Sequence, residues 1–160
     1  MSVQYSEQLI SFSKELNSVN NLTDGLNCIS KNAKKIMSSE RCSIFLYDEK
    51  NTLLWTTLSD GRDKITIPSD IGIIGHTLRV KKALYENDPY DNPNFLSDVD
   101  METGFYTKNL IAAPIFNSQS KIIGVLELLN RKGLYTKEDL TSIDYLAQNI
   151  SGFIELYHTK

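Results

Sequence analysis

The stretch Ile122-Ile-Gly-Val-Leu-Glu-Leu-Leu-Asn130 decides the fold. It reads as one long strand. Alternation places Ile123, Val125 and Leu129 on one face and Ile122, Leu126 and Leu128 on the other. A strand apolar on both faces is covered on both sides, so it belongs in the middle of a sheet. Glu127 interrupts it, on the face of Val125 and Leu129. A carboxylate there is costly unless something hydrogen-bonds or neutralises it. The residues around Glu127 are therefore candidates for a pocket.

The whole chain has 160 residues, enough for one domain with a real core. It is 41% hydrophobic and 23% charged, ordinary for a globular protein. Net charge is −3 and the 17 basic residues are scattered, without the basic stripe that nucleic-acid binding requires. No apolar run approaches the roughly 20 residues of a membrane helix. The first residues lack the charged and apolar regions of a signal peptide, so the cytoplasm is the expected location. Cys28 and Cys42 stand outside any Cys-x-x-Cys pair and read as reduced, buried thiols. His76 and His158 have no ligand-spaced neighbours, so no metal site is expected.

Upstream of the central strand, residues 4–17 carry Leu9, Ile10, Phe12 and Leu16 in an amphipathic helical pattern. Thr23 reads as the N-cap of a second helix, with Leu22 as its staple and Leu26, Ile29, Ala33, Ile36 and Met37 at helical spacing. Residues 42–47, 53–58 and 65–67 read as three strands of an antiparallel meander. Ser69-Asp-Ile-Gly-Ile-Ile-Gly75 leads into a short helix from Ile73 to about Val80. A helix start presents unpaired N–H groups that suit a phosphate, and a plain strand-to-helix turn fits the same residues. After a short strand at 83–85, residues 86–108 form a long acidic stretch. Loops of that length are often lids or binding segments; a solvated surface loop is the simpler alternative.

A strand at 109–116 and a turn at 117–120 precede the central strand, making about six strands in all. Thr136 caps the last helix, with Asp139 at capping-box spacing. Leu140, Ile143, Leu146, Ala147, Ile150, Phe153, Ile154 and Tyr157 give that helix an apolar band wider than one seam, enough for the sheet and for another chain. The whole is an α+β domain built on an antiparallel sheet.

Five segments together resemble a GAF domain of the type found in cyclic-nucleotide phosphodiesterases and adenylate cyclases. They are Arg41-Cys-Ser-Ile-Phe-Leu-Tyr-Asp48, Ile67-Pro with Gly72-Ile-Ile-Gly-His76, Asp98 to Leu110, Pro114-Ile-Phe-Asn117, and Ile123 to Arg131. The most specific is Val99-Asp-Met-Glu-Thr-Gly-Phe105 followed by Thr107-Lys-Asn109. The resemblance implies a GAF-like, PAS-related six-stranded antiparallel sheet, with helices on one face and a lidded ligand cavity on the other. It divides the chain into an N-terminal dimerisation or signalling helix at 1–22 and a GAF domain at 23–160. The family's Asn-Lys…Phe…Asp-Glu signature reads here as Asn130, Arg131, Tyr135 and Asp139, followed by Leu140 where the family has Glu. In relatives this signature braces the fold behind the pocket.

The same resemblance implies a set of ligand positions. Ser43, Asp60 and Glu127 would face a purine base or ribose, and Ile73 and Ile74 would offer backbone N–H groups to a cyclic phosphate. Leu96, Asp100, Thr103 and Thr107 would come from the lid. Leu96 stands where a well-studied type has an aromatic residue, and Ser59 where the family often has one to stack on the base. Asp60 is also an ordinary turn residue, Thr103 and Thr107 can be simple caps, and Glu127 can pair with an arginine.

The expected function is a regulatory sensor with a non-covalent cyclic-nucleotide ligand, cGMP or cAMP. The expected partners are that small molecule and a second copy joined through the terminal helices, with no nucleic acid and no membrane. A ligand-free dimerisation module of a larger signalling protein is the alternative. An enzyme is not expected, because no nucleophile–base pair, cysteine cluster or metal set is visible.

Overall fold

A computed structural model of the chain describes residues 3–56, 65–70, 72–92 and 107–158. In chain order these form α1 (Val3–Asn17), α2 (Leu22–Ile36), β1 (Ser39–Asp48), β2 (Leu53–Thr56), β3 (Ile65–Pro68), α3 (Gly72–Val80), β4 (Leu84–Glu86), a 3-10 turn at Pro89–Asp91, β5 (Leu110–Phe116), β6 (Ile122–Arg131) and α4 (Lys137–Tyr157). The strands make one six-stranded sheet in the order β3-β2-β1-β6-β5-β4. All its pairings are antiparallel. The opening stretch is thus an inner strand, as its two apolar faces require.

The two faces bury different things. Cys42, Ile44, Leu46, Ile111, Ala113, Ile115, Leu126 and Leu128 pack with Phe12 and Leu16 of α1, Leu26 and Ile29 of α2, and Ile143, Leu146, Ile150 and Ile154 of α4. On the opposite face Phe45, Leu54, Ala112 and Val125 pack with Ile74 of α3, flanked by Tyr47, Ile67 and Leu78. Three helices therefore share one face, and α3 lies over the other. Burial of such side chains contributes about 1.5–3 kcal/mol each, so the larger cluster dominates stability.

Strict alternation fails at one point in β6. Ile123 belongs with Leu126 and Leu128 in the helix-side core, not with Val125. The cause is a register shift: Ile115 pairs with Gly124, but the next residue, Phe116, pairs with Ile122. One extra residue in β6 reverses the phase of the strand before Gly124. Gly124 itself lies where a Cβ would come within 2.5 Å of the Phe45 carbonyl oxygen. Only glycine lets β1 approach β6 so closely there.

Two helix ends illustrate how local chemistry sets boundaries. The N-cap of α2 is Asn21 and not Thr23: the Asn21 side-chain oxygen accepts the Asp24 N–H at 2.8 Å. Asn21 has the extended backbone of a cap, and the helix is already under way at Thr23. At α4 the expected capping box is present, with the Asp139 carboxylate accepting the Thr136 N–H at 2.7 Å. β1 starts at Ser39, ahead of the expected Cys42, because Ser38 turns the chain at a positive φ of 52°.

Candidate functional site

β1 and β6 bring Ser43 and Glu127 directly opposite one another, and β5 places Ala112 on the other side of Glu127. All three sit on the sheet face covered by α3. Ser43 is 4% exposed and Glu127 9% exposed, so both polar groups lie inside the fold. Thr56 of β2, 1% exposed, shares the face of Leu54. Around them are the apolar walls of Phe45, Leu54, Val125 and Ile74. The result is an apolar surface with a hydroxyl and a carboxyl at fixed positions, the usual composition of a small-molecule site. Arg41 pairs with Leu129, one diagonal step from Glu127.

Ile73 and Ile74 occupy the first turn of α3, which Gly72 opens at a positive φ of 74°. Backbone N–H groups in a first turn have no partner within the helix. The side chains of both isoleucines are buried, and Ile74 anchors the helix to the apolar cluster. Thr107, just before β5, is 2% exposed. Asp60, Leu96, Asp100 and Thr103 lie outside the described residues.

Behind this face Arg131, Tyr135 and Asp139 of the signature contact one another in series, and Asn130 ties the end of β6 to the approach of β5. The Arg131 guanidinium pairs with the Asp139 carboxylate and stands 5.5 Å from the centre of the Tyr135 ring. The Tyr135 hydroxyl is 2.6 Å from Ser39 Oγ, joining the approach to α4 to the start of β1. Burial is the main cause that pushes the Tyr135 phenol up to about 12, against a smaller opposing effect of the Ser39 hydrogen bond. Asn130 adopts a positive φ of 62°, and its side-chain oxygen accepts the Lys108 N–H at 2.6 Å. In this ion pair arginine stands where the family signature has lysine.

Two further residues join this group: Asn109, which closes the specific Thr107-Lys-Asn109 segment, and Asn87, which had no distinct signal in the sequence. Asn109 accepts the Arg131 N–H at 2.9 Å and donates to the Gly133 carbonyl at 2.8 Å. Asn87 accepts the Tyr135 N–H at 3.0 Å and donates back to the Tyr135 carbonyl at 3.1 Å. Asparagine beside an irregular segment reads as a turn residue, and here its partners are 22 and 48 positions away.

The cysteines stand apart from the candidate site. Cys28 and Cys42 are outside any disulfide and lie buried in the helix-side core. Burial is the first cause that raises the Cys28 thiol above its ordinary value, followed by the nearby Glu15 carboxylate. A raised thiol is a poor nucleophile at neutral pH. Among the described residues no group of histidine, cysteine or carboxylate side chains is arranged to hold a metal, and no helix is long and apolar enough to cross a membrane.

Comparison with known proteins agrees with this architecture. The family model for the GAF domain matches residues 21–154. A probable 3',5'-cyclic phosphodiesterase of Caenorhabditis elegans, pde-5, is 27% identical over 143 residues, covering 80% of this chain. The chain spans only 19% of that relative's length. The GAF domain of an Acinetobacter phosphoenolpyruvate-protein phosphotransferase superposes with a TM-score of 0.81 at 21% identity, covering 98% of this chain and 96% of that one. The free methionine-R-sulfoxide reductase of Neisseria meningitidis, solved with its substrate, superposes with a TM-score of 0.79 at 17% identity, covering 94% and 88%. At those identities the two structures share the fold. With the family model spanning most of its length, the chain belongs to the GAF-domain family, a family of regulatory sensor domains.

Proposed function

We propose that this chain is a small-molecule-sensing GAF domain that takes a cyclic nucleotide, cGMP or cAMP, on the sheet face under α3. The observation that carries the reading is the buried Ser43–Glu127 pair at the centre of an otherwise apolar face. A purine edge carries both donors and acceptors, so a fixed hydroxyl and carboxyl suit it. The first turn of α3 offers N–H groups and a partial positive charge to the cyclic phosphate. Similarity to part of a cyclic phosphodiesterase supports the same ligand class. Ligand binding is relayed through α1 and α4 in signal transduction. The domain is proposed as a regulator and not an enzyme, located in the cytoplasm, with neither nucleic acid nor membrane as a partner.

Isothermal titration with cyclic AMP and cyclic GMP tests the ligand. Saturable heat with one of them, weakened in Ser43→Ala, is the expected result. Absence of heat with both, at protein concentrations well above micromolar, overturns it.

A second reading is a dimerisation module. Tyr145 and Leu156 are 42% and 62% exposed on α4, and Ile10 is 57% exposed on α1. Eleven positions make about three helical turns, so Tyr145 and Leu156 fall on one side of α4. Both readings predict a homodimer through the terminal helices, and only the first requires a ligand. Light scattering on the wild type and on Leu156→Glu separates a dimer formed through this side from a monomer.

A further inference from the structure

Four strand and helix ends converge on residues 130–135. Asn87 follows β4 directly and holds both backbone groups of Tyr135. Lys108 and Asn109 lead directly into β5. The Lys108 N–H is held by the Asn130 side chain, and the Asn109 carbonyl accepts the Asn130 N–H at 2.9 Å. The Asn109 side chain holds Arg131 and Gly133. At the other end, Tyr135 is followed immediately by Thr136, the N-cap of α4, and Arg131 pairs with Asp139 in the first turn of that helix.

An asparagine amide presents an NH2 donor group beside a carbonyl acceptor with the spacing of a peptide group, so it can replace a missing ladder partner. Asn87 does this through two bonds and Asn109 through three, the third a long one to the Arg131 carbonyl at 3.5 Å. Asn109 is 3% exposed, so its amide and the groups it satisfies are shielded from water. Breaking one of those bonds leaves a buried polar group unsatisfied, which costs more than the bond itself contributes. The segment 130–135, the end of β6 and the approach to α4, therefore has no position of its own. It moves with the end of β4 and the start of β5, or its bonds break.

We propose that Asn87 and Asn109 are positioning residues that make the 130–135 connector the mechanical link between the site-bearing sheet and the first turn of α4. β6 carries Glu127 three residues before the connector begins, and Thr107 precedes Lys108, so both ends of the candidate site are joined to the same short segment. A coupling of this kind needs an element whose position both sites bias, and the connector is that element. The use of the link for ligand signalling rests on the sensor reading above; the link itself does not.

Hydrogen–deuterium exchange on the full chain without ligand tests it, comparing wild type, Asn87→Ala and Asn87→Asp. Asn87→Ala is expected to speed exchange severalfold in two remote segments, residues 108–110 and 136–140. The β1–β2 hairpin and the last turns of α4 keep wild-type rates. Asn87→Asp keeps the acceptor for the Tyr135 N–H and loses the donor, so it falls between the two; it also carries the test if the alanine variant does not fold. Acceleration confined to residues 84–92, or spread evenly over the chain, overturns the proposal. A parallel series with cyclic GMP and cyclic AMP separates the two readings. Coupling without any ligand response leaves the link standing and removes the sensor reading alone.

Discussion

Ser43 and Glu127 face each other across neighbouring strands at the centre of the sheet, both almost fully shielded from water. A hydroxyl opposite a carboxyl on an apolar face is a pair of fixed hydrogen-bonding groups. Such groups discriminate strongly, because the wrong ligand leaves them unpaired.

If a purine base is read there, Glu127→Gln replaces two acceptors by one acceptor and one donor group of the same shape. One base contact then changes from attractive to repulsive. Cyclic-nucleotide affinity should fall roughly 10- to 100-fold, the equivalent of losing one hydrogen bond to a charged group. Titration calorimetry on folded Glu127→Gln checks this, and unchanged affinity would place the base elsewhere.

Tyr135 gives the fold an alkaline limit. Its phenol titrates at about 12 in the folded chain, and burial is the main cause. Its unfolded value is near 10. A raised folded value means that this contribution is fully present below about pH 10 and is lost as pH rises towards 12. The shift corresponds to about 2–3 kcal/mol. Denaturant unfolding at pH 8 and pH 11 should show a steeper loss for the wild type than for Tyr135→Phe. Equal losses would contradict the assignment.

Gly124→Ala tests the close approach of β1 and β6. The added Cβ would meet the Phe45 carbonyl oxygen at 2.5 Å, and neither partner is a flexible side chain. Relief requires moving two inner strands. The expected cost is about 1–3 kcal/mol, or more, by analogy with overpacked cores. Urea unfolding checks it, and a neutral result would mean that the strands separate there at little cost.

At the start of α2, Asn21→Ala and Thr23→Ala distinguish two possible caps. The bond from the Asp24 N–H to Asn21 Oδ1 is 2.8 Å. Asn21→Ala should lower stability by about 1 kcal/mol. Thr23→Ala, inside the helix, should change it by no more than about 0.5 kcal/mol, because alanine favours a helix interior. Thermal unfolding of the two variants side by side decides which residue caps.

Short-range patterns made most of the architecture legible. The doubly apolar strand at 122–130 announced an inner position, and the Thr136–Asp139 spacing announced a helix start that is present. Residues 86–108, by contrast, showed no period, and only residues 86–92 and 107–108 among them are described. The signature at Asn130, Arg131, Tyr135 and Asp139 was readable because its members are close in sequence. Its ion pair spans only eight positions.

What the sequence determined by itself was whatever depends on neighbours along the chain: strand and helix periods, the α4 cap, and the oddity of Glu127 among aliphatic residues. The tertiary structure decided the rest. Ile123 left the face of Val125 because pairing with β5 inserted an extra residue into the ladder. Ser43 came to stand opposite Glu127 through a register between strands 84 positions apart. Asn87 became a partner of Tyr135 because folding brought the end of β4 to the entry of α4. In each case the deciding contact joins residues distant in sequence, and its energy appears only once the sheet has closed around it.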